Sequence, residues 1–384
     1  MNSARIMKNR KAVVVVSNVI DSPIYRSLME FLKKNDWDVT YIFLGNETKP
    51  LMQYASDIGL SVCYQNSPAR ISILAYIFKN GLLINRIKPV ITLTLGQTAT
   101  LVGLSASIVF SKATRIYLRM HTSMNSVENY RFGKLYDRVS NRLAERIIVP
   151  NTNTRQYLLE AELVDPKVIE IIEFGFDLEG FLHLAEGRLA NFKTKYGVTD
   201  NFYYIGIVAR FAPAKGLEYS IPAIAQLMHN FSNIKLIIAG VGEEISGEFQ
   251  TLLDEIPNDR LILINRVDDM PSFYNSIDAF VHTPVDSTVE SFGLVYVEAM
   301  ASGLPCIFTL SGVAKDFARN GSNCLIVEYK NVIAIYEALE SLYCDIDLSK
   351  SLSKESPIAV SNFNMTKMCK KYLEVFDREL IKHV

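Results

Sequence analysis

Two glutamates that stand eight residues apart are the side chains of this sequence best suited to bind a polar ligand. Glu290 and Glu298 flank the tripeptide Phe292-Gly293-Leu294. If a helix begins near Phe292, its open amides at these three residues can hold a phosphate or a sugar hydroxyl. Glu298, almost two turns further on, then lies on the same face and can accept hydrogen bonds from paired hydroxyls. The residues around Glu298 are apolar, which favours a mostly buried helix over one with two solvated glutamates.

Two cations follow an earlier apolar run and suit a diphosphate. Arg210 and Lys215 come after Tyr203–Ala209, which is typical of a buried strand, and before a stretch that is typical of a helix. The N-terminus of a helix favours an anion through its free amides and its dipole. Taken alone, the same stretch is also compatible with two solvated cations at the surface.

Small or polar residues stand at the ends of other strand-like runs. Gly240 and Gly242 form a turn in which the backbone could approach a ligand closely, or which simply starts a helix. His121 and His282 each end a run of apolar residues. A histidine at such a position is either a buried or capping residue or a polar group that contacts a ligand. The spacing leaves both interpretations open.

Strand-like runs alternate with helix-like stretches along most of the chain, which predicts an α/β fold with parallel sheets covered by helices. In the first half the predicted strands are Ala12–Ser17, Val39–Gly45, Leu60–Tyr64, Val90–Leu95, Arg115–His121, Arg146–Val149 and Val168–Ile172. In the second half they are Tyr203–Ala209, Ile234–Ala239, Leu261–Ile264, Ala279–Thr283, Cys306–Thr309 and Cys324–Val327.

The polar stretch 184–201 interrupts this alternation and predicts a domain boundary. We therefore expect two doubly wound, Rossmann-like domains, residues 1–185 and residues 186–364, with a last helix over about 365–384 that packs back on the first. Ligands of such sheets bind beyond the carboxyl ends of the strands, and a cleft between the two domains is the expected site.

Composition excludes several classes of protein. The chain has 384 residues, 49% hydrophobic and 21% charged, which excludes a disordered chain and predicts two domains of ordinary size. Its five cysteines form no CxxC pair and have no histidine at metal-ligand spacing, which predicts neither disulfides nor a zinc site and favours a reducing, cytosolic compartment. The uncharged segment 90–111 approaches the length of a membrane span, but its Gly96-Gln97 break favours a buried strand followed by a buried helix.

The charges are divided unequally along the chain. Residues 1–183 contain 22 Lys and Arg against 16 Asp and Glu, a balance of +6, whereas residues 184–384 contain 18 against 25, a balance of −7. Within 70–155 the balance is +10. The cations that alternate there with apolar residues are Arg70, Lys79, Arg86, Lys88, Arg131, Lys134, Arg138, Arg142 and Arg146.

Such a basic and apolar surface suits anionic lipid. Nucleic acid and a merely solvated basic face are the alternatives, although the near-neutral whole chain and the lack of a recognition motif disfavour nucleic acid. We hypothesise that this half receives a lipid-linked or otherwise anionic acceptor at the inner face of a membrane.

Taken in order, these motifs resemble a known family, the retaining, nucleotide-sugar-dependent glycosyltransferases of family 4, or glycosyl transferases group 1. Their fold, called GT-B, consists of two Rossmann-like domains that face each other across a cleft. The matching residues are Gly206, Arg210-x4-Lys215-Gly216, Gly240-Val-Gly242, Val267–Asp278, and Glu290-x7-Glu298 with the following Ala-x-Gly-x-Pro, and more weakly His121, Pro150-Asn-Thr and Gly175-Phe-Asp177. The sequence departs from the family in the loop Ser17–Tyr25, which lacks the usual Gly-Gly pair, and at Ser291, where glycine is common.

The resemblance implies a role for each donor-side residue. Arg210 and Lys215 would bind the donor diphosphate and stabilise the charge that grows on the leaving group. Glu298 would hold the ribose hydroxyls, and Glu290 would contact the transferred sugar. The amides of residues 292–294 would fix the sugar hydroxyls or the phosphate.

The resemblance also implies roles for the remaining candidates. His121 would lie across the cleft near the sugar and the diphosphate, and His282 is the second candidate for such a contact. Backbone contacts in loops such as Gly240–Glu244, which contains Gly242, would select the nucleotide base. Asp268-Asp269 matches a different family position from a DxD metal motif, so we predict chemistry without a metal or other cofactor.

The expected enzyme moves a hexose-type sugar from a UDP- or GDP-sugar to a glycan or lipid-linked acceptor. We expect it in the cytoplasm, peripheral to the inner face of the plasma membrane, in bacterial surface polysaccharide biosynthesis of the lipopolysaccharide or capsule type. One alternative is a nucleotide-sugar epimerase of the same architecture, which needs no acceptor. The other is a non-catalytic subunit that binds sugar nucleotides.

Overall fold

The computed structural model describes residues 10–17, 19, 21–45, 49–66, 73–122, 133–242 and 247–383. Contacts divide the chain into two compact units, residues 1–176 with 364–384 and residues 177–363. The first division thus falls after Phe176, ahead of the predicted boundary at residue 185. Of the sequence motifs, Asn18 and Ile20 of the first loop, Arg70, Arg131, and Glu243 with Glu244 lie outside the described residues.

The first unit is built on a parallel sheet. Its strands are β1 (Lys11–Ser17), β2 (Asp38–Gly45), β3 (Ser61–Asn66), β4 (Ile91–Leu95), β5 (Thr114–Leu118), β6 (Arg146–Val149) and β7 (Ile169–Ile171). They pair in parallel in the order β3-β2-β1-β4-β5-β6-β7. β1 contains four consecutive valines, which suit a strand that is covered on both faces. The order reverses between β1 and β4, as in doubly wound sheets.

Helices pack on both faces of this sheet. They are α1 (Pro23–Lys34), α2 (Pro50–Asp57), α3 (Ile73–Ile87), α4 (Gln97–Phe110), α5 (Gly133–Leu143) and α6 (Thr152–Glu160). On one face, Tyr76 of α3 and Val102 of α4 belong to a buried cluster with Val13 of β1. On the opposite face, Leu28 of α1 lies beside Val14, since successive side chains of a strand alternate between the faces.

The second unit has the same plan with a six-stranded parallel sheet. Its strands are β8 (Tyr203–Val208), β9 (Ile234–Ala239), β10 (Leu261–Ile264), β11 (Ala279–His282), β12 (Cys306–Phe308) and β13 (Leu325–Ile326), in the order β10-β9-β8-β11-β12-β13. Its helices are α7 (Glu179–Leu182), α8 (Arg188–Tyr196), α9 (Leu217–Asn230), α10 (Gly247–Leu253), α11 (Met270–Tyr274), α12 (Leu294–Ala301), α13 (Ala314–Phe317), α14 (Val332–Cys344) and α15 (Ile346–Val360). The order reverses between β8 and β11, so the loops after these two strands mark the expected ligand edge.

The last helix, α16 (Met365–Ile381), belongs to the first unit and packs on α1. Asn364 caps it by accepting hydrogen bonds from the amides of Thr366 and Lys367 at 2.9 and 3.2 Å. The ring of Phe376 meets that of Trp37 edge to face at 5.0 Å between centroids. The amphipathic pattern of this segment therefore reflects docking on the unit that contains the N-terminal strands.

The uncharged segment 90–111 forms β4 and α4, as the sequence predicts, and Gly96 separates them. Gly96 has a φ of +90°, and a Cβ there would lie 2.1 Å from the carbonyl oxygen of Ser17. Only glycine allows the loops after β1 and β4 to approach this closely. Among the described residues, no helix has both the length and the apolar character needed to span a membrane.

Most predicted strands differ from the observed ones by one or two residues at their ends, but the predicted end at His121 is wrong. β5 ends at Leu118. The side chain of Arg119 donates from Nε to the carbonyl of His121 at 2.9 Å and from Nη2 to the carbonyl of Thr122 at 2.5 Å. The segment after Leu118 is thus held by hydrogen bonds from a side chain.

Phe376→Ala is expected to destabilise the first unit by about 3–5 kcal/mol, since Phe376 is fully buried and its removal leaves a cavity beside Trp37. Trp37 is the single tryptophan of the chain, so its fluorescence in a urea titration reports the unfolding of this unit. Ile381→Ala, in the same helix at a residue that is 68% exposed, serves as the control and should change stability by less than about 0.5 kcal/mol. Equal losses in the two variants would contradict the docking of α16.

Candidate active site

In the second unit, the loops that follow β8 and β11 are held together by their backbones. Gly216, next to Lys215, adopts the left-handed region with a φ of +70°. A Cβ on Gly216 would lie 2.0 Å from the carbonyl oxygen of Thr283, the residue after β11. The amide of Val285 also donates to the carbonyl of Ala214 at 3.2 Å. These contacts place Lys215 at the carboxyl end of β11.

A buried carboxylate connects these loops to the segment before α12. Glu290 is 8% exposed, and its Oε1 accepts hydrogen bonds from Nζ of Lys215 and, at 3.0 Å, from Nε2 of His282. Oε2 of Glu290 has no partner among the described residues. The structure thus brings together Lys215 and Glu290, which the sequence singles out, and adds His282, the histidine ranked second, as their direct partner.

These hydrogen bonds set the ionisation states of the cluster. Burial alone raises the pKa of Glu290, but the hydrogen bond from His282 and the charge of Lys215 outweigh it and lower that pKa to about 2. Burial lowers the pKa of His282, and the contact with Glu290 opposes that change. Glu290 is therefore ionised at neutral pH. Because an ionised carboxylate only accepts hydrogen bonds, Nε2 of His282 carries the ring proton.

Helix α12 starts two residues after the predicted position. Gly293 has a φ of +82°, so the first helical residue is Leu294 and not Phe292. Phe292 is buried, and its carbonyl accepts a hydrogen bond from the amide of Val313 at 2.8 Å. Among the described residues, the amides of Gly293, Leu294 and Val295 make no hydrogen bond. The open amides lie where a helix start favours an anion.

Glu298 lies within α12 and is paired with a residue that the sequence does not reveal. Its Oε2 accepts a hydrogen bond at 3.0 Å from the hydroxyl of Tyr274, which stands 24 residues earlier at the end of α11. Burial raises the pKa of Glu298 to about 7, and the Tyr274 hydroxyl opposes the rise. This carboxyl therefore changes its charge near neutral pH.

Arg210 and the Gly240-Val-Gly242 turn follow two neighbouring strands, β8 and β9. The amide of Ala209 donates to the carbonyl of Ala239 at 3.0 Å, which keeps the two loops side by side. Arg210 is exposed and makes no ion pair with any described residue. Gly240 and Gly242 have φ values of +86° and +81°, a backbone path that other residues rarely take.

The Asp268-Asp269 pair is engaged in ion pairs. Both carboxylate oxygens of Asp269 accept hydrogen bonds from Arg188, at 2.7 and 2.8 Å, and Oδ1 also caps α11 by accepting from the amide of Ser272 at 3.1 Å. Asp268 pairs with Arg266 at 3.1 Å. Within the described part of the chain, no group of three or more histidine, cysteine or acidic side chains could hold a metal ion.

In the first unit, His121 belongs to a buried polar cluster that follows β5. The guanidinium of Arg119 is fully buried and pairs with Glu162 at 2.9 Å and with Asp137 at 3.3 Å. Nε2 of His121 lies 3.0 Å from Oδ1 of Asp137. Asp137 is thus shared between a cation and the histidine. No spacing in the sequence indicates this cluster, because its members come from three separate segments.

The cluster determines which nitrogen of His121 is free. Burial lowers the pKa of His121, and although the Asp137 hydrogen bond opposes this, the net pKa is lowered. The ring is therefore neutral at pH 7, and the carboxylate of Asp137 requires the proton to be on Nε2. Nδ1 is then an acceptor, and it has no partner among the described residues. The side chain is 14% exposed and is thus not fully buried.

Comparison with known proteins finds a family domain within the second unit. The model of the family described as "Glycosyl transferases group 1" matches residues 190–357, a range that contains Arg210, Lys215, Glu290 and Glu298. This chain carries a glycosyl transferases group 1 domain. The resemblance seen in the sequence is therefore confirmed, and the protein is a glycosyltransferase.

Relatives of this glycosyltransferase cover more than half of the chain. It is 29% identical over 363 residues to the capsular polysaccharide biosynthesis glycosyltransferase CapM of Staphylococcus aureus, with 93% of each chain covered. An Escherichia coli enzyme named UDP-Gal:alpha-D-GlcNAc-diphosphoundecaprenol alpha-1,3-galactosyltransferase is 27% identical over 246 residues, 60% of this chain and 59% of the other.

Among solved structures, Anabaena HepE in complex with UDP-glucose matches this glycosyltransferase with a TM-score of 0.77 at 17% identity, over 96% of this chain and 99% of that one. At this identity the likeness establishes the fold, which is the GT-B fold with its two Rossmann-like parallel sheets. The predicted fold class is confirmed. The roles of the individual site residues stay predictions.

Asp137→Asn is expected to lower kcat/KM of the glycosyltransferase by about tenfold or more, if His121 binds the sugar as the resemblance implies. The introduced amide nitrogen would donate to Nε2 of His121 and move the ring proton to Nδ1, which could then no longer accept a hydrogen bond. The loss of the carboxylate also lowers the pKa of His121, while the charges of Arg119 and Glu162 that face the ring remain. Any acid limb of the pH profile that is due to this ring therefore moves to lower pH. Steady-state kinetics across pH measures both effects.

Glu162→Gln is the matched control, because it also removes a carboxylate from Arg119 but does not contact His121. It should keep kcat/KM within about twofold of the wild-type value, and thermal unfolding of both variants separates lost stability from lost positioning. An equal loss of kcat/KM in the two variants, at equal stability, would show that Asp137 only maintains the fold.

Proposed function

We propose that this glycosyltransferase is a retaining hexosyltransferase with a UDP-sugar donor. The observation that carries the proposal is the meeting of Lys215, His282 and Glu290 at the carboxyl ends of β8 and β11, beside the open amides of α12. A uridine donor, in preference to a GDP-sugar, is supported by two relatives: HepE is in complex with UDP-glucose, and the E. coli enzyme is named for UDP-Gal.

Positive charge is needed where the leaving group forms. When the bond between the anomeric carbon and the diphosphate oxygen breaks, its electron pair remains on the diphosphate, and groups positioned beforehand stabilise the new charge best. We assign this role to Lys215 and to Arg210, which is exposed and makes no ion pair within the described part of the chain, with the amides of Gly293 and Leu294. Glu290 holds Lys215 in place before the donor binds.

The free acceptor atoms of the site suit the hydroxyls of the donor. Oε1 of Glu290 is occupied by Lys215 and His282, which leaves Oε2 to accept a hydrogen bond from the transferred sugar. Glu298 accepts from Tyr274 through Oε2 and can receive the ribose hydroxyls through Oε1. Nδ1 of His121, in the first unit, is proposed to accept from another sugar hydroxyl.

Retention is proposed to follow from attack on the face that the diphosphate leaves. Glu290 is a poor nucleophile, because its pKa of about 2 makes it a weak base and two donors hold its Oε1. The acceptor oxygen would instead bond to the anomeric carbon as the diphosphate departs, and a phosphate oxygen would take the acceptor proton.

We propose that no metal takes part in the reaction. Arg210, Lys215 and the amides supply the positive charge, and both carboxylate oxygens of Asp269 accept hydrogen bonds from Arg188.

The acceptor is proposed to be a glycan or a lipid-linked sugar in the assembly of a bacterial surface polysaccharide. The name of CapM, from capsular polysaccharide biosynthesis, and the diphosphoundecaprenol in the name of the E. coli enzyme support this class. The place of action is proposed to be the cytoplasm, at the inner face of the plasma membrane.

The proposal is tested by incubating the protein with UDP-hexoses and diphosphoundecaprenol-linked sugars, and by determining the anomeric configuration of the product by NMR. Transfer with retained configuration is the expected result, and inversion would overturn the retaining mechanism. A reaction without acceptor that yields an altered sugar nucleotide would indicate the epimerase alternative. Binding of UDP-hexose without turnover on any such acceptor would indicate a non-catalytic subunit.

Arg210→Ala is expected to lower kcat by roughly 100-fold, as removal of a group that stabilises transition-state charge does elsewhere. The melting temperature should stay unchanged, because Arg210 is exposed and makes no ion pair with a described residue. Lys350→Ala, at an exposed cation on α15, controls for the change in net charge and should leave kcat unaltered. Wild-type kcat in Arg210→Ala would remove this residue from the proposed site.

The affinity for a UDP-hexose is expected to rise about tenfold from about pH 6 to about pH 8, because Glu298 has a raised pKa of about 7 and its ionised form accepts both ribose hydroxyls. Isothermal titration calorimetry at several pH values measures the effect, and the diphosphate diester does not itself titrate in this range.

Two variants assign that pH dependence. Glu298→Gln should abolish it, because the amide does not ionise. Tyr274→Phe should move the midpoint to higher pH, since the Tyr274 hydroxyl stabilises the ionised carboxylate and lowers its pKa. A pH dependence that survives in Glu298→Gln would assign it to another group, such as His282.

A further inference from the structure

Helix α3 exposes a stripe of large apolar side chains. Leu74, Phe78 and Leu82 are 71%, 57% and 51% exposed, and their spacing of four residues places them on one face of the helix. The opposite face of α3 is already packed on the sheet, where Tyr76 and Ile84 are buried. A surface helix normally has one apolar face, so a second one indicates a partner.

The stripe continues onto the end of α4. The ring of Phe78 meets that of Phe110 edge to face at 5.6 Å between centroids. Gly81 makes room for Phe110, since a Cβ on Gly81 would lie 2.0 Å from its ring. The two residues before Phe110, Ile108 and Val109, are exposed. The apolar surface therefore extends from α3 over the carboxyl end of α4.

Exposed cations stand in and next to α3 and shortly after α4, and acidic residues are missing from this part of the sequence. Lys79, Arg86, Lys88 and Lys112 are exposed and make no ion pair with any described residue. From residue 58 to residue 127 the chain contains seven Lys and Arg and not one Asp or Glu. A partner of this surface must therefore offer apolar groups together with negative charge.

We propose that this surface, formed by α3 and the end of α4, docks on an anionic lipid bilayer. The apolar stripe would enter the boundary between headgroups and acyl chains, and the four cations would lie at the level of the phosphates. A second copy of the chain would bring like charges together. Nucleic acid would meet the cations but would not bury the apolar side chains of Leu74, Phe78 and Leu82. The inference deepens the proposed function. It rests on that function in one respect, namely that the acceptor is lipid-linked and would be reached at this surface.

Flotation with vesicles tests the proposal on the full-length protein. Vesicles of phosphatidylcholine mixed with equal parts of phosphatidylglycerol are compared with vesicles of phosphatidylcholine alone, at low and at high salt. The protein is expected to bind the anionic vesicles at least tenfold more strongly than the neutral ones, and high salt should reduce the difference. Equal binding to both, or binding to neither, would overturn the proposal.

Leu74→Asp tests the apolar contribution without disturbing the Phe78–Phe110 contact. It should weaken binding to anionic vesicles at least tenfold, since moving a leucine side chain from water into the apolar part of the bilayer is strongly favourable. Ile333→Asp is the matched control: Ile333 is the second residue of α14, as Leu74 is of α3, and it is 67% exposed against 71%. The control should bind as the wild type does, and an equal loss in both variants would overturn the assignment.

The double variant Lys79→Glu with Arg86→Glu tests the charges, and Lys350→Glu with Lys354→Glu changes the net charge equally at exposed cations of α15. The first pair should lower vesicle binding at least fivefold more than the second. If both pairs lower it equally, the binding is due to net charge and the proposal fails.

Two further measurements separate this proposal from others. Light scattering of the wild type and Leu74→Asp would reveal a dimer that the substitution dissociates, an outcome that assigns the surface to a second copy and overturns the lipid docking. Calorimetry with a UDP-hexose tests the donor site independently. Intact donor binding without vesicle binding rejects the docking surface alone, whereas vesicle binding without donor binding rejects the proposed donor site alone.

Discussion

The site of the second unit depends on the burial of one carboxylate. A buried charge is strongly unfavourable unless donors satisfy it, and Glu290 receives them from Lys215 and His282, which lie at the ends of two different strands. These side chains fix one another: without Glu290, Lys215 would lose its carboxylate partner, and the ring proton of His282 would lose its acceptor. The close approach of Gly216 to Thr283 allows the arrangement. Satisfying one buried charge thus aligns groups that the proposed chemistry needs.

The first unit also buries a charged group, but the charge is positive. Its buried charge is the guanidinium of Arg119, which is satisfied by two carboxylates and two backbone carbonyls. In both units the buried charge lies after a central strand, and in both a histidine has Nε2 within 3.0 Å of a carboxylate, Asp137 for His121 and Glu290 for His282. The parallel follows from the fold, because the carboxyl ends of parallel strands collect polar residues that the strands themselves exclude.

The structure also divides the basic residues of the first half into two groups. Arg119 and Arg146 are used internally, in the buried cluster and in an ion pair with Glu379 at 3.3 Å. Lys79 and Arg86, in contrast, are exposed on α3 and make no ion pair with a described residue. A count of charges along the sequence includes both groups, so it overstates the charge that any partner would meet. What matters for recognition is the unpaired group and the apolar surface between its members.

By itself, the sequence determined the fold class, most strand positions and the glycosyltransferase motif, because apolar alternation and the spacing of Glu290 and Glu298 are local properties of the chain. Only the tertiary structure decided the partners, since Lys215 meets Glu290 across 75 residues and Tyr274 meets Glu298 across 24. It also decided where β5 ends and where α12 begins, because the hydrogen bonds of the Arg119 side chain and the left-handed backbone of Gly293 outweigh the local pattern. Contacts between distant segments depend on how the strands are ordered in the sheet, and no local pattern contains that order.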